Sequence, residues 1–202
     1  MKLIFISILI LLTDQFSKIY VKGFYLPLIN LEHSGLANSK SIPIIDKFFY
    51  ITPVENPGIA FGIDLGPEVK TIVSILTIIA TLGLIVYLFR IRKENFISRL
   101  PITIILGGAL GNLIDRIFYG YFYAYGSLLS GNAVDFIDLR IFDFFLLNKV
   151  LNIYVFNIAD IAIILGVVTL LFALSRKRKI ARQNGIDKIE NSLSLDWVDD
   201  CA

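Results

Sequence analysis

The sequence is poor in the residues that most hydrolytic and metal chemistry uses. It has one cysteine, Cys201, and one histidine, His33, in 202 residues. A single cysteine excludes a disulfide framework and any cysteine-rich metal site. Cys201 stands next to last rather than fourth from the end, so the C-terminal prenylation pattern is missing and it reads as a free tail thiol. One histidine excludes an HExxH zinc site, which needs two, and leaves a Ser–His nucleophile pair without support. His33 lies in the polar stretch "NLEHSGLANSK" and reads as a solvated loop residue. No cofactor and no metal are expected, and any hydrolysis must rest on carboxylates. Charge is scarce too, at 18% of residues against 56% hydrophobic, with a mean hydropathy of +0.74. That balance points to a polytopic membrane protein rather than a soluble domain. No internal repeat is visible, so an inverted-repeat transporter is not suggested.

A bilayer core takes about 20 apolar residues to cross as a helix. Four runs are long enough: about 3–21, 69–89, 100–119 and 156–174. The first could be a cleavable signal peptide, but no small-x-small site follows and "TDQFSK" continues the helical pattern, so it reads as a retained span. Arg90, Arg92, Lys93 and Arg99 lie between spans two and three, and Arg176, Lys177, Arg178, Lys179 and Arg182 follow span four. The positive-inside rule then puts both termini and the middle loop in the cytoplasm, with 22–68 and 120–155 outside. These basic runs are topology signals, and nucleic-acid binding is not expected. "SIPIIDKFFYITPVENPGIAFGI" is β-branched and aromatic with a turn at Asn56-Pro57-Gly58, so a small extracytoplasmic β-sheet is expected. "YGYFYAY" reads as an interfacial aromatic belt, "GSLLSGN" as a flexible loop and "AVDFIDLRIF" as extended chain. The fold class is therefore membrane α-helical, with four transmembrane helices, a small extracytoplasmic sheet and an outer loop or lid. The four-span membrane domain runs over 1–182, and 183–202 reads as a flexible cytoplasmic tail.

Within that topology the polar residues of the spans fall in one layer near the outer interface. Asp14 and Lys18 are one turn apart in span one. Asn112, Asp115 and Arg116 lie near the end of span three, Asn157 and Asp160 near the start of span four, and Asn56 and Asp135 in the adjoining loops. Ionisable groups at membrane depth cost a few kcal/mol unless paired or wetted. Ion pairs Asp14–Lys18 and Asp115–Arg116 would lock helices together, but Asp135 and Asp160 then remain without a basic partner close in sequence. Two close carboxylates share a proton, so one can activate water while the other donates to a carbonyl oxygen. Gly107 and Gly111, with Gly108 and Ala109, read as a close helix-packing face that would hold Asn112 and Arg116 in place.

Five blocks, "TDQFSK", "ENPGIAFG", "GGALGNLIDRIFYGY", "AVDFID" and "FNIADIAI", resemble in order the signature blocks of the lipoprotein signal peptidase (signal peptidase II) family. The resemblance implies a four-helix aspartic endopeptidase of the bacterial inner membrane, with its active site near the outer face. It implies cleavage of prolipoproteins immediately before a diacylglyceryl-modified cysteine, contact with membrane lipid, inhibition by globomycin and action as a monomer. By motif position Asp135 and Asp160 look like the catalytic pair. Asn56, Asn112, Arg116 and Asn157 look like substrate-positioning groups, and Asp14, Lys18 and Asp115 like supporting ones.

The chain departs from the family pattern by longer segments at about 122–133 and 139–155. Asp138 and Asp143, in that region, read as surface or loop acids whose Asn variants should behave like wild type. Two rival classes make different predictions. A transporter using the buried charges as a relay would tolerate loss of Asp135, and a membrane scaffold would need no single Asp. Among proteases, a rhomboid-like enzyme would need a Ser–His pair and a presenilin-like one a Gly-x-Gly-Asp motif; both are missing.

Overall fold

The computed structural model describes residues 3–26, 29–36, 41–57, 67–140, 145–146, 149–150 and 155–199. Helix α1 spans Ile4–Lys22, α2 Pro67–Arg90, α3 Phe96–Ile114 and α5 Ile158–Asp199. A π-helical turn, Asp115–Tyr119, prolongs α3 and leads into a last short turn, α4, at Gly120–Phe122. Four helices are long and apolar enough to cross a membrane: Ile4–Lys22, Glu68–Arg90, Phe96–Phe122 and Ile158–Lys179. Each coincides with an apolar run in the sequence. α5 continues as helix through the stretch expected to be a flexible tail, as far as Asp199.

The bundle is apolar outside and polar inside. On α1 the buried residues are Ser7, Asp14, Lys18 and Val21, a stripe at helical spacing. The opposite surface exposes Phe5, Leu9, Phe16 and Tyr20, and α2 and α5 expose Ile79, Phe89 and Phe172 in the same way. Water would penalise so broad an apolar surface, whereas lipid solvates it. α3 is the central helix and packs against α1, α2 and α5. The glycine face does what its spacing promises. Gly107 lies against Ser7 and Ile10 of α1, and Gly108 against Ala159 and Ile163 of α5. At Gly111 a Cβ would stand 2.4 Å from Asp14 Oδ2, so only a bare backbone lets that carboxylate in.

At one end of the bundle lie the strands. β1 (Phe24–Leu26) and β2 (Leu31–His33) form a hairpin, and β3 (Ile42–Ile45), β4 (Phe49–Asn56), β5 (Ala133–Leu139) and β8 (Val155–Phe156) form a four-stranded antiparallel sheet in that order. β6 (Phe145–Leu146) and β7 (Lys149–Val150) pair with each other. The expected sheet is thus present, but His33 is not a free loop residue: it sits in β2, stacks on Tyr20 at 4.8 Å and reaches the Tyr20 carbonyl with Nε2 at 2.9 Å. Val21, Tyr119, Val134 and Phe136 form the apolar core that joins sheet to bundle.

The inserted stretch after α4 is tied down rather than loose. A π turn leaves backbone carbonyls out of the regular helical ladder, and the insert supplies donors for two of them. Gly131 N–H donates to the Arg116 carbonyl at 3.0 Å and Leu129 N–H to the Ile117 carbonyl at 3.1 Å. A Cβ on Gly131 would stand 2.0 Å from the Asp115 carbonyl oxygen, so glycine is required at that approach. From α2 the buried Ser74 donates to the Leu129 carbonyl at 2.8 Å. The aromatic run divides accordingly: Tyr121 and Phe122 are exposed, as a belt would be, while Tyr119 is buried. Tyr123 donates to the Gly23 carbonyl at 2.9 Å. Asp143 and residues 151–154 lie outside the described residues.

Candidate active site

The end of the bundle that carries the sheet gathers the polar residues of three helices and two strands. Asn157 is the residue immediately before α5, and the first turn of that helix is closed by a reciprocal cap. Asp160 N–H donates to Asn157 Oδ1 at 2.9 Å, and Asn157 N–H donates to Asp160 Oδ2 at 3.2 Å. This is the capping-box arrangement, here with Asn and Asp, and it fixes both side chains against one helix end. The remaining amide hydrogens of Asn157 reach outward. Its Nδ2 donates to Asp135 Oδ1 at 2.7 Å and to Asn112 Oδ1 at 3.2 Å.

Asp135 is held from the other side by the sheet. Asn56, the last residue of β4, donates from Nδ2 to Asp135 Oδ2 at 2.9 Å. Asn112, from α3, donates from Nδ2 to Asp160 Oδ1 at 2.8 Å. Asp135 and Asp160 are therefore linked through Asn157, each with a further amide donor of its own. Among the described residues neither makes an ion pair. Burial pushes the Asp135 carboxyl up to about 6, and the nearby charge of Asp160 adds to that, while donation from Asn56 and Asn157 opposes it.

Behind this layer lies a buried cation. Lys18 Nζ stands 2.7 Å from Asp14 Oδ2 and 2.7 Å from Asp115 Oδ2, all three side chains fully buried. It also donates to Asn112 Oδ1 at 3.0 Å. Asp14 in turn accepts the Ala159 N–H at 2.8 Å, so the carboxylate meets the positive end of α5. Gln15 joins the same group through Asp14, Asp115 and the Gly111 carbonyl, and Tyr119 donates to its Oε1 at 3.3 Å.

This corrects one pairing. Asp115 was expected to neutralise Arg116, yet its carboxylate is bonded to Lys18 and Gln15. Neighbouring residues on a helix do not face one another, and the π turn that begins at Asp115 further shifts the phase of the residues that follow it. Arg116 instead turns toward the site, within electrostatic reach of Asp115, Asp135 and Asp160, with its Nη1 buried and without a hydrogen-bond partner among the described residues. A buried guanidinium hydrogen with no acceptor is costly.

Asp138 is the second correction. It is 1% exposed rather than a surface acid, and accepts from Thr52 Oγ1 at 2.8 Å, Arg140 Nη2 at 2.9 Å and Arg140 Nε at 3.1 Å. Its burial comes from β5 being an inner strand of the sheet, which the inserted segments around it obscured. Gln15, Thr52 and Arg140 were likewise not singled out from sequence. Gln15 had a signal, since it lies inside the "TDQFSK" block; Thr52 and Arg140 had none.

The comparisons with known proteins agree on a family. The model described as signal peptidase (SPase) II matches residues 6–176. A lipoprotein signal peptidase of Moorella thermoacetica is 34% identical over 174 residues, covering 86% of this chain and 93% of its own length. One from Fusobacterium nucleatum is 35% identical over 183 residues, at 88% and 90% coverage. One from Clostridioides difficile is 37% identical over 167 residues, at 83% and 90%. Two solved structures, both described as bacterial membrane enzymes determined by the in meso method, superpose on the fold. The one at 2.3 Å resolution has a TM-score of 0.60 and 25% identity, covering 88% of this chain and 89% of its own. The one at 1.9 Å has a TM-score of 0.55 and 31% identity, at 86% and 92%.

Proposed function

The chain belongs to the signal peptidase II family, a family of bacterial multi-pass membrane peptidases that act on prolipoproteins, and we propose that it cleaves them by an aspartic mechanism centred on Asp135 and Asp160. The observation that carries this reading is the division of the four acids Asp14, Asp115, Asp135 and Asp160. Asp14 and Asp115 share the Lys18 ammonium, whereas Asp135 and Asp160 accept from amide donors and, among the described residues, make no ion pair. Two carboxylates so placed share one proton. Asp135, whose carboxyl is pushed up to about 6, is assigned that proton at rest, and Asp160 the base role. Asp160 then takes a proton from water as it attacks the scissile carbonyl, Asp135 donates to the carbonyl oxygen, and the pair returns a proton to the leaving amine.

The neighbours suit a peptide. Arg116 Nη1 is a donor awaiting an acceptor, and Asn56 and Asn112 fix the two acids from opposite sides. The substrate in this reading carries a diacylglyceryl-modified cysteine, cut on its N-terminal side, with its lipid in the bilayer beside the apolar helix surfaces. The basic loops at 90–99 and 176–182 then face the cytoplasm, both termini lie on that side, and the site opens at the outer face. The enzyme works as a monomer, and globomycin inhibits it by placing a hydroxyl between Asp135 and Asp160.

The test is direct. Purified protein in detergent is incubated with diacylglyceryl-modified prolipoprotein, and loss of the signal-peptide mass is followed, with unmodified precursor alongside. Cleavage of the modified form alone supports the reading; no cleavage, or equal cleavage of both, refutes it.

A further inference from the structure

The pairing of β4 with β5 changes phase in its middle. Ile51 lies opposite Ile137 but Val54 lies opposite Asp135, so β4 takes three residue steps where β5 takes two. The extra residue falls at Thr52-Pro53. Proline has no N–H to give the ladder, and such residues collect at bulges. The consequence reaches the catalytic pair. Had the register of the Tyr50–Asp138 end continued, Glu55 would face Ala133, and Asn56 would project from the opposite side of the sheet. With the bulge, Asn56 faces Ala133 and stands diagonal to Asp135 on one face, where its amide reaches the carboxylate at 2.9 Å.

What holds the bulge is Asp138. Its buried carboxylate accepts the Thr52 hydroxyl at 2.8 Å and both Arg140 donors. Arg140 lies over the Tyr50 ring at 3.7 Å and donates to Ser41 Oγ at 3.1 Å, and the Thr52 hydroxyl also bonds that oxygen at 2.9 Å. The group thus joins β4 and β5 on the side of the bulge away from the dyad, and Ser41, just before β3, completes it. A buried ion pair adds little net stability over an apolar substitute, so bulk stability does not account for it as well as placement does.

We propose that Asp138 is a positioning residue for the catalytic pair, acting through Thr52 to hold the β4 bulge that turns Asn56 onto Asp135. This rests on the assignment of Asp135 to catalysis. Asp138→Asn and Thr52→Val are compared with wild type for cleavage of diacylglyceryl-modified prolipoprotein, each also in an Asn56→Ala background. Asp138→Asn should lower kcat by about tenfold or more with KM within about twofold, and Thr52→Val should act in the same direction but less. In the Asn56→Ala background either change should cost less than about twofold, because the path to Asp135 is already cut. Equal losses in both backgrounds, or a lowered Tm with unchanged kcat, would overturn the proposal. Should Asp138→Asn fail to fold, Thr52→Val, which removes one hydroxyl, decides the matter. Amide hydrogen exchange of 51–56 gives a readout apart from activity: it should rise in both variants, and unchanged exchange counts against the proposal. If wild type fails to cleave at all, the functional assignment falls, while the exchange measurement still judges the role of Asp138 in the bulge.

Discussion

Asn157 and Asp160 cap each other across the first turn of α5, each donating its backbone N–H to the other's side chain, at 3.2 and 2.9 Å. The helix terminus therefore orients one member of the dyad, and the same Asn157 reaches the other with Nδ2 at 2.7 Å. The two roles separate by substitution. Serine is a good N-cap but too short to reach Asp135, so Asn157→Ser should keep Tm near wild type and lose activity by about tenfold or more. Asn157→Ala should lose the cap as well, at roughly 1 kcal/mol. Melting curves beside cleavage rates check this; full activity in Asn157→Ser would remove Asn157 from the site.

The dyad should behave as one unit. Either Asp135→Asn or Asp160→Asn should abolish turnover, and the double variant should be little worse, since each alone removes the shared proton. Substrate binding should persist. Activity retained in Asp135→Asn is the result expected of a transporter or scaffold, and it would end the aspartic reading.

Stability should carry a signature of Asp135. Its carboxyl is pushed up to about 6 in the fold, chiefly by burial, against about 3.9 in an unfolded chain. Between these values the folded state holds a proton that the unfolded state has released. Stability from this group is thus complete below about pH 4 and lost as pH rises through about 6, by up to about 3 kcal/mol. Tm in detergent should fall between pH 4.5 and pH 7 more steeply for wild type than for Asp135→Asn. Parallel curves would mean that Asp135 titrates near its ordinary value.

Sequence alone reveals the spans, the sheet and the polar layer, because each is written in local patterns: apolar runs, β-branched runs and acids at membrane depth. It does not reveal what depends on phase. The π turn at Asp115–Tyr119 adds a residue to one helical turn, and the bulge at Thr52-Pro53 adds one to a strand. Each shift swaps which side chains face inward, and neither has a composition signal strong enough to place it. Asp138 reads as a surface acid because the inserted segments around it hide that β5 is an inner strand, and Asp115 and Arg116, as helix neighbours, do not face one another. Asp135 and Asp160 stand out in the sequence as acids without a basic partner close by, and the fold links the two through Asn157.

The last prediction concerns that partner. Lys18 is fully buried, 2.7 Å from carboxylates of both Asp14 and Asp115, so it is the one cation bonded to two acids here among the described residues. Lys18→Met should leave both acids without it, and losing one side of a buried pair costs on the order of 3–5 kcal/mol. Asp115→Asn should be milder. Lys18 keeps Asp14, and an asparagine can still accept the Gln15 donor that now reaches Asp115 Oδ1 at 2.8 Å. Combining the two should recover part of the Lys18→Met loss, because one of the stranded charges is gone. Expression and Tm of the two single variants and the double one, in detergent, give the comparison. Were Asp115 instead the counter-ion of Arg116, Asp115→Asn would be the worst variant and Arg116→Met would rescue it. The fold predicts no such rescue, since Asp115 is bonded to Lys18 and Gln15.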